Sequence, residues 1–232
     1  MAKEQESSPE YCITFDDVLK AAGRVKGVAH KTPVLTSETI ISSGGKGQKF
    51  FFKVEAMQKT GSFKFRGALN AIREVLERKP PPTNSSLQVV THSSGNHAQA
   101  LALAAKLAST DQYSVKATIV MPNSAPAVKK AAVESYEGNI VMVANTNEAR
   151  EDEADRIVEK TGATFIHPSE NPRVIAGQGT ACLEFVDQVR SMGVELNAVI
   201  IPVGGGGLAA GNTIALRGLL GDKVKVSFKK FL

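Results

Sequence analysis

Between Leu87 and Phe228 the chain alternates, without a break, between short apolar runs rich in Val and Ile and longer stretches with helical spacing. The runs Leu87–Thr91, Ala117–Met121, Asn139–Val143, Thr164–Ile166, Ala198–Val203 and Lys223–Phe228 read as strands. The stretches His97–Ala108, Ala125–Tyr136, Asn147–Lys160, Gly179–Arg190 and Leu208–Leu220 read as the helices between them. A connection that contains a helix cannot close a tight hairpin. Consecutive strands are therefore expected to run parallel, with helices on both faces of the sheet. The architecture is α/β. Ligands in open parallel sheets bind beyond the carboxyl ends of strands, so the strand-to-helix junctions are where chemistry is expected.

Ahead of this alternation the pattern is less regular. Residues 1–10 are polar and acidic and read as a disordered tail. Ile13 to Arg24 has helical spacing, with Thr14 and Asp17 as a capping box and Phe15, Val18, Leu19 and Ala22 as the apolar positions. Val34-Leu35 follows His30-Lys31-Thr32-Pro33, a Ser/Gly loop spans Ser42 to Gly47, and Lys49 to Glu55 reads as a strand buried on both faces. Lys79 to Ser86, with three consecutive prolines, is the clearest linker.

The 232 residues, 42% hydrophobic and 22% charged, are ample for a globular core. The net charge of +5 invites a nucleic-acid reading, but basic residues alternate with acids, and three Tyr and no Trp leave little for base stacking. Two cysteines, Cys12 and Cys182, are too few for a disulfide framework or a zinc site, which fits a reducing compartment. No apolar signal core or membrane-length apolar run is present in the sequence. A cytoplasmic protein with a small-molecule substrate, and neither a nucleic-acid nor a membrane partner, is expected.

Three junctions carry the chemistry. Thr60-Gly61-Ser62 reads as a turn and N-cap that starts a helix over Phe63–Arg78 and puts Lys64 in its first turn. The positive end of the helix dipole disfavours a cation there, and Phe63 and Phe65 exclude water. Its pKa is therefore expected to fall toward that of a usable nucleophilic amine; a surface lysine is the alternative on these residues alone. Thr91-His92-Ser93-Ser94-Gly95-Asn96-His97 sets two hydroxyls, a glycine and exposed N–H groups at a helix start, a cradle sized for a carboxylate. Pro202-Val203-Gly204-Gly205-Gly206-Gly207-Leu208 exposes successive N–H groups with no side chain to obstruct a phosphate. The spacing Gly204-x-Gly206-x-x-Ala209 also fits a dinucleotide fingerprint, as an NAD-dependent oxidoreductase would use. The acid that should end the next strand is missing, because Val226-Ser227-Phe228 stands there. A single phosphate monoester is the better guest.

An activated lysine, a carboxylate cradle and a phosphate cup together suit pyridoxal phosphate. Gln58–Ala68, Thr91–Gln99 and Val203–Leu208 resemble, in order and spacing, the fold-type II pyridoxal phosphate enzymes, most of all their serine racemase and threonine or hydroxyaspartate dehydratase branch. Lys31–Thr36, His167-Pro168 and Ile175–Thr180 match as well, and the likeness runs from about Tyr11 to Val226. The resemblance implies two three-layer open parallel-sheet domains: a small one over 87–165 and a large one over 11–86 plus 166–232. It implies that Lys64 is the internal Schiff-base lysine, that Phe63 packs beside the cofactor ring, that Asn96 bonds the ring hydroxyl, and that Gly204, Gly205, Gly206, Gly207 and Leu208 hold the phosphate. Ser93, Ser94, Gly95 and Asn96 would hold the substrate carboxylate, with His97 starting the helix behind them. Ser94 would serve as the second proton carrier that racemisation needs, where many dehydratases have alanine. Lys59, Thr60, Gln99 and Tyr136 correspond to a nucleotide effector site. ATP and a divalent metal as effectors, and a homodimer, are implied for a full-length relative.

The family pattern continues past Val226 into a Ser-Gly-Gly-Asn turn facing the pyridine nitrogen, metal-ligand acids and further strands, none of which is in this sequence. A truncated large domain with exposed apolar faces and an open sheet edge is therefore expected. The implied activity is racemisation of serine and its elimination, or that of threonine, to a 2-oxo acid and ammonia. A threonine or 3-hydroxyaspartate ammonia-lyase and a non-catalytic subunit that pairs with a complete enzyme are the alternatives.

Overall fold

A computed structural model describes residues 11–37 and 48–230; the tail at 1–10 and the Ser42–Gly47 loop lie outside the described residues. The chain opens with α1 (Phe15–Val25), where the Thr14 side chain accepts from the Asp17 N–H and Asp17 reaches back to the Thr14 N–H, the expected capping box. Its buried face is Val18, Ala21 and Val25, with Ile13 buried just ahead of it; Leu19 points to solvent instead, because the buried stripe of this helix passes through Val18 and Ala21. Strands β1 (Val34–Leu35) and β2 (Phe52–Lys53) form an antiparallel pair. The expected strand over Lys49–Glu55 shrinks to these two residues, and Phe52 is 40% exposed rather than buried on both faces. The backbone turns into a short 3-10 segment at Glu55, since Glu55 and Lys53 are drawn into ionic contacts described below.

Helix α2 (Lys64–Arg78) follows, then β3 (Ser85–His92), which starts two residues inside the expected linker because Ser85 already pairs with β4. The remaining elements are α3 (Asn96–Ala108), β4 (Tyr113–Pro122), α4 (Ala127–Ser135), β5 (Asn139–Val143), α5 (Asn147–Thr161), β6 (Thr164–Phe165), α6 (Pro172–Ser191), β7 (Ala198–Pro202), α7 (Gly207–Leu220) and β8 (Lys225–Lys229). Helix α6 starts seven residues before the expected Gly179. Asn171 caps it by accepting from the Arg173 and Val174 N–H groups, Pro172 fits its first turn, and Gly177 and Gly179 lie inside it.

Those inner glycines are there for contact. A Cβ on Gly177 would lie 2.6 Å from the Gly67 Cα of α2, and one on Gly211 of α7 would collide with the Ile175 carbonyl of α6. Helices α2, α6 and α7 thus approach backbone to backbone. Four strands form one parallel sheet in the order β5-β4-β3-β6. Val89, Ile119 and Met121 pack on one face with α3 and α2, while Val90 and Val120 pack on the other with Ala154 of α5, giving three layers. Strands β7 and β8 form a separate parallel pair whose Val199 and Ile201 sit against α6 and α7.

Candidate functional site

Lys64 is the first residue of α2. Ser62 Oγ accepts the Lys64 N–H at 3.4 Å, and the turn before it holds Thr60 at a φ of 62°. The ammonium nitrogen donates to the Pro168 carbonyl at 2.7 Å and lies 5.3 Å from the centre of the Phe63 ring. No ion pair to Lys64 occurs among the described residues, and burial lowers its pKa below the usual lysine value. A lysine held by a neutral carbonyl is nearer to a free amine than one held by a carboxylate.

A buried ionic cluster around Arg66, two residues further along, anchors this helix start. Arg66 is 0% exposed. It reaches Glu55 through Nε at 2.8 Å and Nη2 at 2.9 Å, and Glu184 through Nη1 at 2.8 Å and Nη2 at 2.9 Å, and also donates to the His30 carbonyl. Lys53 joins at 2.6 Å from Glu184. Burial works to raise the Glu184 pKa, but hydrogen bonds from Arg66 and Lys53 overcome it and leave the carboxyl below its usual range. Sequence reading missed the cluster because its members lie up to 131 positions apart.

The second junction runs from β3 to α3. Ser93 N–H closes on the Val120 carbonyl and Ser93 Oγ accepts the Gly95 N–H at 3.3 Å. Gly95 is the N-cap of α3 and supplies no side-chain cap, so the first N–H groups of a 13-residue helix are left for an anion. Asn96 is exposed at this start. His97 points inward instead: it is 2% exposed, its Nε2 meets the Ile166 carbonyl at 3.3 Å, and burial pushes its pKa down to about 3.

The third junction is the β7–α7 loop. Gly206 is the N-cap of α7, with φ of 87° and no side chain to cap the helix, so the N–H groups of Gly207 to Ala209 have no helical partner, the first intrahelical bond being from Ala210 N–H to the Gly206 carbonyl. Nothing lies within 4 Å of where a Cβ of Gly204 or Gly206 would be, which leaves space over the loop. Gly205 and Gly207 instead press on Ser169: their Cβ atoms would fall 2.6 Å from its Oγ and 2.7 Å from its carbonyl oxygen.

A cavity of about 320 Å³ lies between these elements. Ser93, Ser94 and Gly95 form one wall, and Pro168 and Ser169 form another. Lys64 and the glycine loop do not line this cavity themselves; they contact two residues of its wall, Lys64 through the Pro168 carbonyl and the glycine loop against Ser169. The other walls hold His92 and His167, which lie in motifs noted in the sequence but were given no role there and whose rings meet edge-on at 5.6 Å, together with Arg150 and Glu151 of α5, which the sequence reading did not single out. The signal for them was positional, since His92 ends β3, His167 follows β6 and α5 follows β5. Of the expected effector residues, Lys59 and Thr60 lie in the 3-10 turn packed against α3, which carries Gln99; Tyr136 ends α4, itself packed on α3.

The donor set fits pyridoxal phosphate. The fit rests on a lysine amine without an acidic partner, an uncapped helix start behind open glycines for the phosphate, and a second uncapped helix start with two serines for a carboxylate. The described residues contain no grouping of three or more His, Cys, Asp or Glu side chains that could hold a metal, and no helix long and apolar enough to cross a membrane.

Known proteins give the same reading. The chain is 47% identical over 214 residues to human serine racemase, a match covering 90% of this chain and 58% of that protein. It is 42% identical over 206 residues to the L-threo-3-hydroxyaspartate ammonia-lyase of Saccharomyces cerevisiae, covering 89% of this chain and 58% of that one. The crystal structure of serine racemase from Dictyostelium discoideum superposes with a TM-score of 0.84 at 42% identity, over 96% of this chain and 67% of that one. The chain thus spans about 58% of the length of these curated relatives. The family model described as pyridoxal-phosphate dependent enzyme matches residues 25–228, and the chain belongs to that family.

Proposed function

We propose that this chain carries the catalytic centre of a pyridoxal phosphate-dependent racemase and dehydratase of serine or a closely related hydroxy amino acid. The observation that carries the reading is the Lys64 amine, half-buried and held at 2.7 Å by the carbonyl of Pro168, a residue that lines the same cavity as Ser93 and Ser94. Its pKa is lowered by burial, which favours the neutral amine that must react. The N–H groups from Gly204 to Leu208 would hold the cofactor phosphate, Asn96 its ring hydroxyl, and Phe63 would pack beside the ring. Bound there, pyridoxal phosphate supplies the electron sink that makes the substrate Cα–H acidic.

The protein supplies the rest. Ser93, Ser94 and the free N–H groups at the α3 start, with Gly95 and Asn96, bind and orient the substrate carboxylate. The Lys64 amine takes the proton from Cα, and the Ser94 hydroxyl is the second proton carrier. A proton returned from the Ser94 side inverts the centre. When the β-hydroxyl takes up a proton and leaves as water instead, the released enamine is hydrolysed by water to a 2-oxo acid and ammonia. His97, buried and held through Nε2 by the Ile166 carbonyl, sits behind this wall rather than on substrate.

The test is direct. With pyridoxal phosphate the protein should turn yellow, and borohydride should fix the cofactor on Lys64 as read by peptide mass spectrometry. A Lys64→Ala protein that still forms the adduct would overturn the assignment. Ser94→Ala should lower racemisation about 100-fold or more while sparing elimination. Arg150 favours a second reading, since a cation in the cavity wall suits a substrate with a second carboxylate, as the ammonia-lyase relative's name describes. Turnover of L-threo-3-hydroxyaspartate with an Arg150-dependent KM would establish it.

The same reading takes 87–165 as the small domain and 11–86 with 166–232 as the large one, supported by the separate four- and two-stranded sheets. It also takes Lys59, Thr60, Gln99 and Tyr136 as a nucleotide effector site, with a divalent metal, a homodimer and a cytoplasmic setting carried over from the family likeness.

A further inference from the structure

The turn from His167 to Glu170, between β6 and α6, touches both halves of the site. The Pro168 carbonyl holds the Lys64 amine at 2.7 Å. Ser169 lies against the glycine loop so closely that a Cβ on Gly205 would come within 2.6 Å of its Oγ. The backbone of this turn is itself held by an imidazole: the N–H groups of Ser169 and Glu170 donate to His167 Nδ1 at 3.2 and 2.9 Å. A ring nitrogen that accepts two N–H groups carries no proton, so the ring is the neutral Nε2–H tautomer.

We propose that His167 is a positioning residue whose Nδ1 sets the 167–170 turn, and thereby the placement of the Lys64 amine relative to the glycine cup at Gly204–Gly207. The proposal rests on the pyridoxal phosphate reading of that site. The entry to the turn is fixed separately, because Ile166 N–H bonds the Val90 carbonyl at 2.9 Å and the His97 ring meets the Ile166 carbonyl. What remains adjustable is the stretch His167 governs. Its ring is held in place edge-on to His92 at 5.6 Å and to Phe165 at 6.2 Å, with the Glu170 carboxylate 3.9 Å from Nε2. Without the Nδ1 acceptor, two N–H groups of the turn lose their partner and the turn must find another shape.

Two substitutions separate the two ring nitrogens. Asparagine places an amide oxygen near the position of Nδ1, and glutamine places its amide near Nε2. In the 232-residue chain, His167→Asn should take up pyridoxal phosphate within about threefold of the parent affinity. His167→Gln and His167→Ala should bind about tenfold more weakly or worse. Absorbance titration reads this directly. Equal binding by all three variants, or retention by His167→Gln with loss in His167→Asn, overturns the proposal.

Two measurements need no cofactor. In the cofactor-free chain, the rate at which trinitrobenzenesulfonate modifies Lys64, read by peptide mass spectrometry, should match the parent in His167→Asn and change about threefold or more in His167→Gln. Nitrogen-15 shifts of the His167 ring should report the Nε2–H tautomer; an Nδ1–H ring overturns the proposal. A parent chain that takes up no pyridoxal phosphate removes the proposed function, while these two measurements still decide the role of His167.

Discussion

The four-stranded β3–β6 sheet and the β7–β8 pair are built from the same kind of apolar run, but only the first is covered on both faces. Val89 and Ile119 on one face and Val90 and Val120 on the other are all 0% exposed. In the pair, Val199 and Ile201 are buried, whereas Ile200 between them is 68% exposed and Phe228 across from Ile201 is 55% exposed. Parallel sheets are rarely left open in this way. Local sequence makes a strand in either setting; how much that strand contributes to stability depends on what covers it.

The largest loss is expected underneath the open pair, where α6 and α7 pack backbone to backbone. Gly211→Val pushes a side chain into the Ile175 carbonyl and the Gly179 backbone, neither of which can rotate away. Chemical denaturation should show a loss of at least about 3 kcal/mol, or no cooperative transition. Within the covered sheet, Ile119→Ala removes a fully buried side chain and should cost about 2–5 kcal/mol by the same measurement.

The covered region should also carry a pH dependence that the open pair lacks. His97 has a folded pKa of about 3 against 6.5, so between those values the unfolded chain binds a proton that the folded one refuses. Stability is full above pH 6.5 and falls toward pH 3 with a limiting slope of about 1.4 kcal/mol per pH unit. His97→Gln should flatten this stretch of a denaturation-versus-pH curve. The smallest effect is expected on the open face: Ile200→Lys should change the unfolding free energy by about 0.5 kcal/mol or less. It should also raise the concentration the protein tolerates before aggregating, measured by light scattering. A cost for Ile200→Lys equal to that for Ile119→Ala would abolish the contrast.

Much of the fold was legible because its signals are local. Asn139–Val143 was read to the residue, and Thr14 and Asp17 announced their own capping box. The start of α6 was not: the sequence placed it at Gly179, and only the packing of Gly67 on Gly177 and of Gly211 on Gly179 shows why glycines lie inside this helix. Phe50 to Phe52 looked like a buried run, but the charges beside it turn inward to Arg66 and Glu184 and the strand is cut short.

At the site the division is similar. Lys64, Ser93–Asn96 and Gly204–Leu208 stand out in sequence because each sits where a helix begins and each has the composition its chemistry needs. The βα alternation and these junctions were therefore determined by sequence alone, through backbone propensity and patterns a few residues long. The three-dimensional structure decided which groups face one another: Pro168 on the Lys64 amine, Ser169 on the glycine loop, Arg150 and His92 in the cavity wall, and His97 turned away from it. Those pairings join residues tens to about a hundred positions apart, and burial, tautomer and pKa follow from the partner each side chain meets.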